Sequence, residues 1–323
     1  MNIKNKVIAI VGPTGVGKTE LSLRLAEITD SEIISCDSMQ IYKGMDIGTA
    51  KASKDETARV KHHLIDILDP RENYSVCEYV NDAKNSLEEI FKKGKNVMVV
   101  GGTGLYVDSF IRGTDFTDAG GNEEIRTALT EYAEKNGNEL LHKMLEEVDP
   151  ESAAAIHPNN TKRVIRAIEY YKVSGEKISD HNKKSALAPS PYDYVYIGLT
   201  RDRQNLYERI DKRVDEMVSM GLADEVFGLW KKGCTLDMTS MQALGYKEII
   251  WYIKGKCTFD EAIRILKRDS RRYAKRQLTW FKRNQNINWI NLSEYSSADD
   301  VINEIIKILE NRFCRKEVPC CKE

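Results

Sequence analysis

The chain has 323 residues, enough for one large or two modest domains, and its 41% hydrophobic and 31% charged residues are typical of a soluble globular protein. No apolar run approaches the roughly 20 residues of a membrane span. The net charge of −1 means that any nucleic-acid binding must come from a local patch. The start of the chain leads straight into a predicted strand, so we expect no signal peptide. Seven scattered cysteines without paired C-x-x-C sets favour a reduced, cytoplasmic protein over a zinc or disulfide framework.

A phosphate-binding loop follows the first predicted strand, residues 7–11, which is apolar and mostly β-branched. The next residues, GPTGVGKT, match the P-loop pattern G-x-x-x-x-G-K-[ST], and a helical apolar stripe follows them. Backbone N–H groups of such a loop surround phosphate oxygens, a lysine adds positive charge, and the Thr19 hydroxyl is placed to bind Mg²⁺. We therefore predict a phosphorylated ligand, rather than a chance glycine-rich turn, at Gly12, Pro13, Thr14, Gly15, Val16, Gly17, Lys18 and Thr19.

Two further predicted strands end in polar or glycine-rich segments. Residues 32–35 form the first, and Asp37 follows it. Ligands gather at the carboxyl ends of parallel strands, so Asp37 is either a site carboxylate or, equally well by position, a helix N-cap. The strand at residues 96–100 runs into GGTG, where P-loop ATPases usually carry an acidic residue for Mg²⁺. These glycines allow a ligand to approach, with the Thr103 hydroxyl beside it, or they form a tight turn without a ligand.

The interval from about residue 113 to residue 191 changes character, because its patterns are helical. We predict helices at residues 123–134, 137–147 and 161–173, another beginning at Asp149-Pro150, and a linker at 185–191. Strand patterns return at residues 194–199 and 288–291. The predicted fold is α/β: a P-loop NTPase-like parallel sheet flanked by helices, with a helical insertion domain. The sheet domain comprises residues 1–116 and 190–323, and the insertion comprises residues 117–189.

Positive charge is concentrated near the carboxyl end of the chain. From Arg264 to Arg283 there are nine lysines or arginines against one acid, Asp269. Such a run is usually a solvated helix face, but in a chain of net charge −1 it favours a polyanion-binding surface. The pair His62-His63 lacks metal-ligand spacing to other residues, and we expect it to be packed or at the surface.

A series of motifs runs through the chain in a specific order. It comprises GPTGVGKT (12–19), CDSMQIYKGMDIGTAK (36–51), HHLID (62–66), GGTGLY (101–106), IHPNNTKRVIRAIE (156–169), MQALGYKE (241–248) and YAKRQLTWFKRN (273–284). This series resembles the bacterial tRNA dimethylallyltransferases of the tRNA isopentenyltransferase (IPP transferase) family, which prenylate the adenosine next to the anticodon. The chain has Lys162-Arg163 where the family often has Gln-Arg, and Lys61 where it often has Pro.

The resemblance implies transfer of the dimethylallyl group of dimethylallyl diphosphate to N6 of adenosine 37, in tRNAs that read codons starting with U. It implies a cytoplasmic, monomeric enzyme that contacts no membrane and needs Mg²⁺ on Thr19. The implied catalytic residues are Lys18, Thr103 and, as general base, Asp37. The implied tRNA-binding residues are Asp37, Ser38, Met39, Gln40, Thr103, Arg126, Asn159, Asn160, Thr161, Lys162, Arg163, Gln242, Arg272, Lys275 and Arg276.

Three other functions remain open at this stage. A small-molecule P-loop kinase would also use this loop, but the length, the insertion and the basic segment argue against it. An isopentenyltransferase acting on free adenine nucleotide would have no use for a long basic surface. A tRNA-binding protein without activity would leave the P-loop idle. Release of diphosphate on alkyl transfer would separate the first alternative from the implied reaction.

Overall fold

The computed structural model describes residues 5–114, 122–187 and 189–314 of the chain. Within them, six parallel strands form one sheet in the order β3-β2-β4-β1-β5-β6. The strands are Val7–Val11 (β1), Ser31–Cys36 (β2), His62–His63 (β3), Asn96–Gly101 (β4), Tyr194–Thr200 (β5) and Ile287–Asn291 (β6). The predicted α/β fold with a parallel sheet is confirmed.

Fourteen α-helices accompany the sheet in the described ranges. They are Lys18–Thr29 (α1), Lys54–Arg59 (α2), Val76–Lys92 (α3), Gly104–Ile111 (α4), Glu123–Asn136 (α5), Asn138–Val148 (α6), Pro150–Ala155 (α7), Thr161–Ser174 (α8), Ile178–Leu187 (α9), Arg203–Ser219 (α10), Leu222–Lys231 (α11), Tyr246–Ile253 (α12), Phe259–Phe281 (α13) and Ala298–Phe313 (α14). None of the helices in the described part of the chain is long and apolar enough to cross a membrane.

The central strand β1 is buried on both faces, since each of its five residues has no exposed surface. It lies between β4 and β5, with Val7 opposite both Val97 and Tyr194. Ile8 and Ile10 belong to a core that includes Leu21 of α1. An apolar strand without alternation is typical of a parallel sheet covered by helices on both faces, and it directs the following loop to a buried end of the sheet.

Local sequence signals set several helix starts. Ser75 caps α3 with a capping box, in which its side chain accepts from the Glu78 backbone N–H. Asp149 accepts from Ser152 N at 3.1 Å, and Pro150 occupies the first position of α7. The predicted helices at residues 123–134, 137–147 and 161–173 correspond to α5, α6 and α8.

Three sequence expectations need correction. Helix α9 continues to residue 187, so the predicted linker at 185–191 begins inside a helix. A separate helix, α11, follows Gly221 and was not predicted. The segment after Asp37 is a series of turns, so Asp37 is not a helix N-cap. Residues 117–121 of the predicted insertion and residues 315–323 of the predicted sheet domain lie outside the described residues.

The chain divides into two compact units. One unit consists of the residues up to Ile111 and from Tyr192 onward, and it contains the sheet. The other, Arg112–Pro191, contains α5 to α9 around its own core, to which Leu129, Leu141 and Val164 contribute. The domain boundaries proposed from the sequence, 1–116 with 190–323 and 117–189, remain a prediction.

Candidate active site

Three adjacent strands, β2, β4 and β1, carry the sequence motifs at their carboxyl ends. The P-loop follows β1, Asp37 follows β2, and Gly102 follows the last residue of β4. Residues from all three segments line one cavity of ≈ 710 Å³. The parallel sheet therefore brings together residues that are up to 88 positions apart in sequence.

The P-loop presents backbone donors at the start of α1. Gly17 is the N-cap residue with φ of 110°, a left-handed conformation that favours glycine, and no side chain caps the helix. The first N–H groups of α1 are therefore left for another acceptor. The Lys18 ammonium donates to the carbonyl oxygens of Gly12 and Pro13, each at 2.9 Å, which holds it within the loop.

Electrostatics at Lys18 favour an anionic ligand. Burial is the main cause that lowers the pKa of Lys18 to about 7, and the Arg213 guanidinium acts in the same direction. The Asp37 carboxylate opposes both effects. Burial also lowers the pKa of Arg213, while Asp37 raises it. Two cationic side chains thus lie close to one carboxylate, and a polyanion would stabilise both cations.

Arginines of the β5–α10 region donate hydrogen bonds to carbonyl oxygens of the P-loop, and the sequence analysis did not identify them. Arg201 Nε donates to Val16 O at 2.9 Å, and Arg209 Nε donates to Gly15 O at 3.0 Å. Arg209 and Arg213 line the cavity and are four residues apart, so they share one face of α10. That spacing was the available signal, but nothing in it indicated which loop the helix would contact.

The Asp37 and Thr103 segments are joined across the ends of β2 and β4. Asp37 Oδ1 accepts from Met39 N at 2.9 Å, which closes a local turn. Ser38 N donates to Thr103 Oγ1 at 3.2 Å, and Thr103 N donates to Cys36 O at 3.1 Å. The residues on either side of Asp37 therefore hold Thr103 beside it, one through the Thr103 backbone and one through its hydroxyl.

Gln277 of α13 connects the P-loop to the glycine-rich segment after β4. Its Oε1 accepts from Thr14 N at 2.9 Å, and its Nε2 donates to Gly102 O at 2.9 Å. A Cβ at Gly102 would collide with the Gln277 amide, and one at Gly104 would collide with the Trp280 ring. These glycines thus allow side chains of α13 to pack closely against the backbone. The sequence pattern did not indicate this contact.

The remaining predicted contacts of the sheet unit fall into two groups. Ser38, Met39, Gln242 and Arg276 line the cavity. Gln40 also lines it, but its side chain is engaged, since it accepts from Ser35 Oγ at 3.0 Å and donates to the carbonyl oxygens of Thr49 and Ala50. The amide of Gln40 therefore holds neighbouring backbone in this structure.

The basic helix α13 has two kinds of cations. Lys267 and Arg271 pair with Asp215 and Asp211 of α10, the first pair at 2.6 Å, so they hold two helices together. Arg272 is 64% exposed at its side chain and lies 3.5 Å from Asp269. Among the described residues no acidic group forms a salt bridge with Lys275 or Arg276, both of which are exposed. This second group faces solvent, as do Arg264 and Arg268 of the same helix.

Six predicted tRNA contacts belong to the other compact unit. Arg126 pairs with Glu169 at 2.9 Å, and Glu169 is fully buried. Thr161 Oγ1 donates to Asn138 Oδ1 at 3.0 Å at the start of α8. The other four residues are exposed around that same helix start: Asn159, Asn160, Lys162 and Arg163.

The histidine pair is engaged in local contacts. His63 Nε2 lies 2.8 Å from Glu32 Oε2, and both residues are buried. His62 Nδ1 lies 2.8 Å from Val60 O. Within the described residues, no group of three or more His, Cys, Asp or Glu side chains could hold a metal ion.

A P-loop sequence, a strand-end carboxylate and a basic helix around one cavity are the features expected of an α/β enzyme with a phosphorylated substrate. The IPP transferase family model matches residues 40–284. A tRNA dimethylallyltransferase of Alkaliphilus oremlandii is 49% identical over 311 residues, which cover 96% of this chain and 99% of the relative. The chain belongs to the IPP transferase family, and the resemblance drawn from its motifs is confirmed.

Solved structures agree with this assignment. The full-length tRNA isopentenylpyrophosphate transferase of Bacillus halodurans has a TM-score of 0.73 and 46% identity, with 96% of this chain and 97% of that chain covered. A eukaryotic dimethylallyltransferase acting on tRNA has a TM-score of 0.83 and 27% identity, with 97% of this chain and 81% of that chain covered. The protein is therefore a transferase with a fold shared across the family.

Proposed function

We propose that the protein transfers the dimethylallyl group from dimethylallyl diphosphate to N6 of adenosine 37, next to the anticodon, in tRNAs that read codons starting with U. The products are N6-(dimethylallyl)adenosine and diphosphate. One observation carries the proposal: Lys18 of the P-loop and the Asp37 carboxylate line the same cavity. A site for the leaving diphosphate and a proton acceptor for the attacking amine are thus within one small volume.

The P-loop binds the diphosphate of the donor. The uncapped N–H groups at the start of α1 and the Lys18 ammonium donate to its oxygens. Negative charge grows on the diphosphate as the bond between C1 of the dimethylallyl group and oxygen breaks, so these donors stabilise the transition state more than the ground state. The reaction activates no water, and the glycines after β4 accommodate the Gln277 and Trp280 side chains of α13.

The acceptor nitrogen needs help because the lone pair of N6 is delocalised into the adenine ring. N6 attacks C1, the C1–O bond breaks, and its electron pair leaves with the diphosphate. Asp37 accepts the proton that N6 loses as the new bond forms. Thr103, held beside Ser38 through the 3.2 Å bond to its hydroxyl, positions the reacting groups.

Mg²⁺ fits the oxygen donors near the P-loop. Thr19 lies in the first turn of α1 and lines the cavity together with Lys18. Mg²⁺ prefers oxygen ligands and is usually held by few protein groups together with substrate phosphates and water, so a single hydroxyl is compatible with such a site. When bound there through Thr19, the ion would supply charge neutralisation for the diphosphate.

The tRNA must present adenosine 37 unstacked, because N6 is inaccessible within a stack. Arg272, Lys275 and Arg276 are exposed on α13 and would contact phosphates of the anticodon stem. We infer that residues 117–189 act as an insertion domain that contributes Arg126 and residues 159–163 to tRNA binding.

Since one chain supplies every proposed catalytic group, we propose a monomer, and we infer from its tRNA substrate that it acts in the cytoplasm.

Incubation of the protein with unmodified tRNA, dimethylallyl diphosphate and Mg²⁺ tests the proposal. Digestion followed by mass spectrometry should reveal N6-(dimethylallyl)adenosine at position 37, with diphosphate released in equal amount. Parallel reactions with free adenine nucleotide, and with ATP as the only donor, test the other two enzymatic functions. Modification of free nucleotide alone, or phosphoryl transfer from ATP without prenylation, would contradict the proposal.

A further inference from the structure

An irregular loop after β2 forms part of the cavity wall. Gly48, Thr49 and Ala50 line the cavity, although they belong to no helix or strand. Ala50 has φ of 45°, a left-handed conformation that is uncommon for a residue other than glycine. A loop of this kind keeps one conformation only when other parts of the structure hold it.

Glu225, near the start of α11, holds this loop by its backbone N–H groups. Its Oε2 accepts from Asp46 N at 2.9 Å and from Ile47 N at 2.8 Å. Its Oε1 accepts from Gly48 N at 3.1 Å. Three consecutive backbone donors converge on one carboxylate from a helix that lies 177 residues later in the sequence. No sequence motif indicated this contact.

The same loop is held from its carbonyl side and at its end. Gln40 Nε2 donates to Thr49 O at 3.3 Å and to Ala50 O at 3.2 Å. The Lys51 ammonium donates to Tyr42 O at 2.7 Å and to Asp46 Oδ1 at 2.7 Å, with only 3% of that side chain exposed. Of these anchors, Glu225 is the one that comes from a distant part of the chain.

Glu225 also bonds to a second segment of the cavity wall, next to the first. The Tyr246 hydroxyl donates to Glu225 Oε1 at 2.6 Å, and Tyr246 is fully buried at the start of α12. Its ring occupies the space where a Cβ of Gly48 would lie. Gln242, Ala243, Leu244 and Lys247, on either side of Tyr246, line the cavity. One carboxylate therefore bonds to two segments that both form the cavity wall.

We propose that Glu225 is a positioning residue that fixes the separation of these two segments and thereby aligns the acceptor base with the prenyl donor. The inference rests on the proposed function and deepens it. Glu225 does not line the cavity, so it acts through the loop at residues 46–50 and through Tyr246. The proposed diphosphate site is formed by the P-loop and the start of α1, and diphosphate binding should be unaffected by a change at Glu225.

The substitution Glu225→Gln removes one specific interaction. Whichever way a glutamine amide is turned, one of its two ends is an NH₂ group that cannot accept from backbone N–H. At least one donor among Asp46, Ile47 and Gly48 then loses its partner. Asp224→Asn is the matched control, because Asp224 is exposed and lies in the same first helical turn. Both variants lose one negative charge at the N-terminus of α11, so helix-dipole effects cancel.

Single-turnover transfer with saturating substrates is the first readout. We expect Glu225→Gln to be about 10- to 100-fold slower than Asp224→Asn, because misplaced reacting groups slow the chemical step by this order. Affinity for inorganic diphosphate and the thermal unfolding midpoint should match the control. Tyr246→Phe should give a smaller loss of the same kind. Equal rates for Glu225→Gln and Asp224→Asn, or a rate loss matched by lost diphosphate affinity and stability, would overturn the proposal.

Amide hydrogen exchange tests the hydrogen bonds from residues 46–48 to Glu225 independently of catalysis. The amides of residues 46–48 should exchange faster in Glu225→Gln than in the wild type or Asp224→Asn. Unchanged protection would contradict the inference even if the wild type is active. A wild type that fails to prenylate tRNA while showing this exchange pattern would contradict only the proposed function.

Discussion

The two sides of the cavity are built in different ways. On one side, the ends of β1, β2 and β4 contribute short continuous segments, and much of the chemistry comes from backbone N–H groups and Lys18. On the other side, α10 and α13 contribute single side chains, Arg213 and Gln277, that are 64 residues apart in sequence. The proposed phosphate contacts thus come from one short stretch of sequence, whereas the geometry between the segments depends on long-range packing.

If the two sides act independently, binding of the diphosphate and binding of the tRNA should respond to different substitutions. A change in the P-loop removes positive charge from the proposed diphosphate site, and its effect should be confined to the donor and the chemical step. A change in the exposed cations of α13 should alter how tRNA is held. The following variants test whether the two sides can be separated in this way.

The largest effect is expected for Lys18→Ala. Loss of the ammonium removes a group that stabilises the leaving diphosphate, so turnover should fall by about 10³-fold or more. Affinity for tRNA should stay near that of the wild type, because Lys18 is held by P-loop carbonyl oxygens at the proposed diphosphate site. Turnover and a gel-shift assay measure the two quantities, with circular dichroism as the folding control. A parallel loss of tRNA binding would show that the two sides are not separable.

A smaller effect is expected when Arg272, Lys275 and Arg276 are all changed to glutamine. Binding to every tRNA should weaken alike, and the slope of log K against log salt should become shallower by about 2, since each phosphate contact contributes about 0.7–0.9. A control triple at Lys54, Lys92 and Lys254, which are exposed elsewhere on the same unit, matches the change in charge. If both triples behave like the wild type, the surface of α13 is only solvated.

The smallest effect concerns pH. Burial lowers the pKa of Lys18 to about 7, so the free protein loses this positive charge as the pH rises above 7. Diphosphate binds the charged form and raises the pKa of Lys18, so binding takes up protons and weakens by up to about tenfold per pH unit above 7. Calorimetry of wild type and Lys18→Ala in buffers of different ionisation enthalpy isolates this contribution. Equal proton uptake by both proteins would rule it out.

The sequence predicted the features that depend on local patterns. The P-loop, the buried strands and the start of α7 at Asp149-Pro150 each follow from residues within a short window, and the structure contains all of them. Gln277, Arg213 and Glu225 could not be found in this way, because their partners are brought near only by the fold. The glycines after β4 were noted, but the side chains they accommodate lie 175 residues away.

Asp37→Asn provides the most direct test of the central claim, that the strand-end carboxylate accepts the proton of N6 within the same cavity that holds the diphosphate. Asparagine keeps the shape and the local turn to Met39 but cannot accept that proton. In a single-turnover reaction with prebound tRNA, which avoids slow product release, we expect the rate to fall by about 10²–10⁴-fold with little change in substrate affinity. A rate within a few-fold of the wild type would contradict the account and remove Asp37 from the mechanism.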